Sequence, residues 1–219
     1  MSLANNIQNL QTIISSLENK AAGGDTALLY ASKLSKLYFD AVFPDGYELT
    51  VTATRPSTDI SELCRHTSGL RKLTLDIPTE EVYNANSFVY QSTSIEEVVL
   101  PDGIKFSTMN YFATNVKTLK RVLGRVDMTN VTNVTSPNIY NGCTVLEEVY
   151  FMPSTIKMDL NISHTVALID DSVQSIVDGY ADMTGQTSPI LRVNLSVGEK
   201  MTDAQKAALT AKNVTLVIG

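Results

Sequence analysis

The sequence predicts an α/β solenoid, in which short parallel strands stack in register, helices cap the ends and a coiled-coil helix stands in front. Three observations predict it. An apolar phrase repeats four times through the middle of the 219-residue chain, a heptad seam runs through its first 22 residues, and helix signals gather near both ends.

The repeated phrase is Leu/Ile-x-x-Leu/Val-x-apolar. Leu70, Leu73 and Leu75 carry it first, then Ile95, Val98 and Leu100. Leu119 and Val122 follow, with Gly124 in the last slot, and Leu146, Val149 and Phe151 make the fourth copy. The starting positions 70, 95, 119 and 146 lie 25, 24 and 27 residues apart. Upstream flanks repeat too: Leu63, Phe88, Phe112 and Ile139 stand seven residues before each start, and Thr67, Ser92, Val116 and Cys143 three before. A period of 24–27 falls in the range of leucine-rich repeats, so the class expected is a leucine-rich-repeat-like stack with neighbouring strands about 4.8 Å apart. The first, fourth and sixth positions of each phrase then point into a shared core, and the residue at −7 fills its opposite side. Pro78, Pro101 and Pro153 fall just after the strands, where a missing N–H does least harm. "YELTVTA" (47–53) alternates and reads as a strand; Gly46, 24 residues before Leu70, makes it a degenerate copy.

Charged pairs occupy the second and third positions of each phrase. They are Arg71–Lys72, Glu96–Glu97, Lys120–Arg121 and Glu147–Glu148, so the sign alternates from copy to copy. In a parallel stack each basic pair flanks an acidic one, which contributes roughly 0.2–1 kcal/mol per pair and sets strand order and register. Beside the charges, Thr74, Val99, Leu123 and Tyr150 form an outward stripe, a candidate binding surface for either a ligand or another subunit.

Ahead of the repeats, Leu3, Ile7, Leu10, Ile14, Leu17 and Ala21 step 4, 3, 4, 3, 4, a coiled-coil seam. Ile13 widens the apolar face, so a trimer is favoured over a dimer; packing on the chain's own body is the alternative. Gly23–Gly24 breaks this helix, and Asp25 opens a second, running to about Ala41, that caps the stack. Behind the repeats, "DDSVQSIVDGYADMTG" reads as a helix ending near Gly185, with its paired aspartates as caps. "PILRVNLS" reads as a strand, "TDAQ" (202–205) as a capping box and "VTLVIG" as a last strand. The expected organisation is therefore 1–22 oligomerisation helix, 23–45 break and capping helix, 46–168 repeats and 169–219 C-terminal cap.

Composition narrows function. A net charge of −6 and pI near 4.9 argue against nucleic acid, which needs clustered Lys and Arg. No apolar run is long enough to insert in a membrane, and no secretory leader is expected in these residues. His66 and His164 lie outside any metal-ligand spacing, and nucleotide or nucleophile motifs are absent, so no catalytic residue, metal or cofactor is expected. Cys64 and Cys143 read as core thiols.

The phrase "IYNGCTVLEEVYFMP" and the ending "SIVDGYADMTGQTSPILRVNLSVGEKMTDAQKAALTAKNVTLVIG" resemble the BspA-like leucine-rich repeat proteins, found on bacterial surfaces and in phages and prophages of Gram-positive hosts. Gly124 and the lengthened third copy depart from the pattern. The resemblance implies a non-enzymatic virion fibre or spike at the virion surface, docked to other virion proteins through its N-terminal helix and meeting a host surface protein or glycan. A bacterial cell-surface adhesin is the alternative it leaves open.

Overall fold

The fold was obtained as a computed structural model, which describes residues 46–54, 58–131 and 138–219. The coiled-coil seam (Leu3, Ile7, Leu10, Ile14, Leu17, Ala21) and the second helix expected within 23–45 lie outside the described residues.

Strands β1 (Tyr47–Thr52), β2 (Leu70–Asp76), β4 (Glu97–Val99), β6 (Arg121–Asp127) and β7 (Glu148–Phe151) lie side by side and parallel. Leu73, Val98, Val122 and Val149 sit in one register row and are wholly buried. The sheet does not stop there. Strands β3 (Val82–Asn84) and β5 (Ile104–Thr108) extend it from the far half of β6, where Ile104 pairs with Val126 and Lys105 with Asp127. Strand β6 therefore serves two walls, its first half pairing with β4 and its second with β5.

This architecture overturns the expected α/β solenoid of the leucine-rich-repeat type. The described residues form a curled parallel sheet, half of a barrel, and are only 15% helical. Two physical causes separate it from the expectation. First, "VYN" and "IKFST" are strands whose alternation, with Tyr83, Ile104 and Phe106 buried, is too short to stand out in sequence. Second, the flanks cannot be helical. Glu62, Ser87 and Tyr111, and four residues on His66, Gln91 and Asn115, all adopt left-handed backbone with φ of 54–62°. An L-residue there every fourth position stops any α-helix. Their backbone groups bond between copies instead: Cys64 N–H donates to Phe88 O at 2.9 Å, Val89 N–H to Phe112 O at 2.8 Å and Ala113 N–H to Ile139 O at 3.0 Å.

The core lies inside the curl. Phe88 stacks on Phe112 with ring centres 5.1 Å apart, and Tyr140 meets Phe112 edge-on at 6.2 Å. Thr67 Oγ donates to Ser92 Oγ at 2.8 Å and Ser92 Oγ donates to Cys64 O, so these buried hydroxyls of adjacent copies are both satisfied. Cys143 Sγ contacts Ala113 O at 2.9 Å, and burial pushes its thiol pKa up to about 12, which leaves it unreactive.

Helix α1 (Asp170–Gly179) closes the row at β7. Ser172 Oγ accepts from Val149 N–H at 3.0 Å and Ser175 Oγ from Phe151 N–H at 2.9 Å, so the outer edge of β7 is hydrogen-bonded to a helix and cannot take another strand. The helix ends six residues before Gly185, because Tyr180 is drawn into a bridge with Ile156. Asp170 and Asp171 are not caps: Ile169 holds the cap position without a side-chain bond, and the two carboxylates lie in the first turn, facing the positive end of the helix dipole. A second, three-stranded parallel sheet follows, ordered β10 (Thr215–Ile218), β9 (Ile190–Val193) and β8 (Leu160–Ile162). Between its strands run α2 (Leu195–Lys200), which the sequence reading missed, and α3 (Asp203–Ala211). The capping box on α3 is formed, with Thr202 Oγ accepting from Gln205 N–H at 3.2 Å and Gln205 Oε1 from Thr202 N–H at 2.9 Å.

Candidate functional site

The outward face of β1, β2, β4, β6 and β7 carries the charged rungs. Glu48, Lys72, Glu97, Arg121 and Glu148 are partners along one register row, of alternating sign. Glu97 is its pivot: Oε1 meets Lys72 Nζ at 2.8 Å and Oε2 meets Arg121 at 2.7 Å, while the side chain keeps only 11% exposure. Lys72, as hydrogen-bond donor, is the largest cause holding the Glu97 carboxyl below the ordinary glutamate range. Glu96 pairs with Lys120 at 2.9 Å on the exposed side and is lowered likewise. Arg71 and Glu147 are exposed and make no ion pair among the described residues. Sequence reasoning missed Glu48, whose copy is too degenerate to show the paired charges.

Thr74, Val99 and Leu123 align as neighbours on β2, β4 and β6, each half-buried. Tyr150 does not join them. The register between β6 and β7 shifts between Val122 and Arg125, so Tyr150 lies opposite Arg125. The cause is a bulge at Leu123–Gly124. Gly124 has φ +87°, and a Cβ there would sit 2.1 Å from Leu100 O, so only glycine fits. The glycine that breaks the repeat phrase is thus the residue that breaks the stripe.

Around this displaced pair opens a groove of about 300 Å³, at the small end for ligand sites. Arg125, Tyr150 and Pro153 line one side, and Asp171, Gln174 and Asp178 of α1 the other. Arg125 is tied by Asp102: Nε donates to Oδ1 at 2.9 Å, a terminal nitrogen to Oδ2 at 2.6 Å, and the backbone N–H to Oδ1 at 2.9 Å. These bonds hold Asp102 below, and Arg125 above, their ordinary pKa values. Tyr150 donates to Glu148 Oε2 at 2.9 Å. Burial first and that carboxylate second raise its pKa, so the hydroxyl stays protonated.

A relay of amides aligns the helix side. Thr202 N–H donates to Gln205 Oε1 at 2.9 Å, Gln205 Nε2 to Gln174 Oε1 at 3.0 Å, and Gln174 Nε2 to Asp178 Oδ1 at 2.9 Å. The capping box of α3 therefore orients a carboxylate in the groove. Nothing in the local sequence near Asp178 announces this, because Gln174 and Gln205 lie 31 residues apart.

No family model, curated protein or solved structure gave a significant match to this chain.

Among the described residues no three His, Cys, Asp or Glu side chains converge on a metal position, and no helix is long and apolar enough to cross a membrane. The groove instead offers apolar surface from Tyr150 and Pro153, the exposed carboxylates of Asp171 and Asp178, and a guanidinium paired with Asp102.

Proposed function

We propose that this chain is a non-enzymatic attachment protein of a phage virion, a short fibre or spike that oligomerises through residues 1–22 and meets the host surface with its sheet face. The observation that carries the attachment role is the preformed groove at Tyr150 and Arg125, whose walls are held by hydrogen bonds before any partner arrives. The repeated phrase, with its resemblance to BspA-like proteins of phages and bacterial surfaces, supports the location.

Two measurements test it. Light scattering on the full chain and on a chain starting at Asp25 should give a trimer that becomes a monomer; equal masses for both remove the stalk. Fluorescently labelled full chain should adsorb to Gram-positive cells, and antibody against it should label virions. Labelling confined to bacterial walls would replace the fibre with a cell-surface adhesin.

A further inference from the structure

We infer that the groove between Tyr150 and helix α1 binds a neutral sugar unit of a surface glycan. The inference rests on the attachment reading for its biological meaning, and on the groove's own chemistry for its ligand class.

Arg125 is the cation in the groove lining, and Asp102 occupies its fork at 2.9 and 2.6 Å. Asp102 offsets the guanidinium charge, so an anionic ligand gains less from Arg125 than from an unpaired arginine. The open charges are the carboxylates of Asp171 and Asp178, both exposed and both on one face of α1, seven residues apart. They repel carboxylated or phosphorylated ligands and accept hydrogen bonds from hydroxyls, in the short charge-assisted form.

A pyranose has an apolar C–H face and an equatorial belt of hydroxyls. The groove mirrors both, with Tyr150 and Pro153 giving apolar surface, and Asp171, Gln174 and Asp178 giving polar groups on the facing side. Its volume of about 300 Å³ suits a small unit of this kind.

The polar wall is preorganised. Asp178 uses Oδ1 on Gln174, which leaves Oδ2 for a ligand hydroxyl, and Gln174 is itself held by Gln205 at 3.0 Å. Ordering these side chains is complete before binding, so a ligand with few contacts loses less to entropy. The bulge at Gly124 places Arg125 across from Tyr150 and makes the groove possible.

The test is saturation-transfer NMR on the full chain with glucose, galactose, rhamnose and N-acetylglucosamine, using glucose 6-phosphate and a tetralysine peptide as charged competitors. At least one neutral sugar should receive saturation. Tyr150→Ala and Asp178→Asn should each weaken its Kd at least tenfold, and Glu96→Gln, on the far charge row, should leave it unchanged. Thermal melts establish that the variants fold, and Gln174→Ala, at an exposed helical position, is a second probe should Tyr150→Ala fail. Transfer to no sugar, transfer unaffected by these substitutions, or preference for the phosphorylated sugar or the peptide would each overturn the inference. Adsorption to cells separates this from the attachment reading. Wild-type adsorption that survives Tyr150→Ala removes the groove's role and keeps attachment, whereas sugar binding without adsorption removes attachment and keeps the groove.

Discussion

The two halves of the outward face behave differently. Across β2, β4 and the start of β6, each strand meets the next in register and the charges answer one another, Lys72 with Glu97, Glu97 with Arg121, Glu96 with Lys120. Between β6 and β7 the register slips, Arg121 forms no ion pair with its partner Glu148, and Glu148 accepts from Tyr150 instead. Regular pairing uses up the hydrogen-bonding capacity of a surface. Two extra residues, Leu123 and Gly124, release it, and the groove lies where that capacity is released.

The irregular half depends most on Gly124. Gly124→Ala forces a Cβ to within 2.1 Å of Leu100 O at φ +87°. It should destabilise the protein by about 2–4 kcal/mol, a fall in Tm of roughly 5–15 °C by thermal denaturation. A variant that keeps the wild-type Tm would mean the bulge is not needed.

Next in size is the pivot of the regular half. Glu97→Lys puts a third cation between Lys72 and Arg121 and should cost about 2 kcal/mol. Adding Lys72→Glu should recover part of the loss and adding Arg121→Glu most of the rest, because Glu97 serves both partners. Additive melting temperatures across this cycle would show that the row carries no coupling.

Acid separates the contributions further. Glu97 has a folded pKa below its unfolded one, so its contribution is complete above the ordinary glutamate value of about 4.3 and is lost as pH falls through the depressed folded value. The gap in Tm between wild type and Glu97→Gln should therefore narrow as pH drops below about 4. The smallest effect belongs to the irregular half: Tyr150→Phe loses one hydrogen bond to Glu148 and should change stability by no more than about 1 kcal/mol.

Much of the inward packing is legible in sequence, because Leu73, Val98, Val122 and Val149 recur every 24–27 residues, each with an apolar companion three residues before it. The curl is not. It depends on β3 and β5, of three and five residues, and on left-handed turns at Glu62, Ser87 and Tyr111, whose residue types share no signature. Of the candidate site, Tyr150 is visible as an outward aromatic residue, and Gly124 as a departure from the phrase. Their connection is not visible, since a bulge shows only when two strands are laid side by side. Ser172 and Ser175 look like ordinary polar helix residues, and only the position of β7 reveals that they close its edge.

The row Glu48, Lys72, Glu97, Arg121 and Glu148 also constrains how such a chain can have grown. Duplicating a single copy would set two strands of like sign against each other, and deleting one from the interior would do the same. Copies can be gained or lost without that conflict only two at a time, one acidic and one basic. The unit of inheritance along this face is a doublet of about fifty residues, twice the structural period.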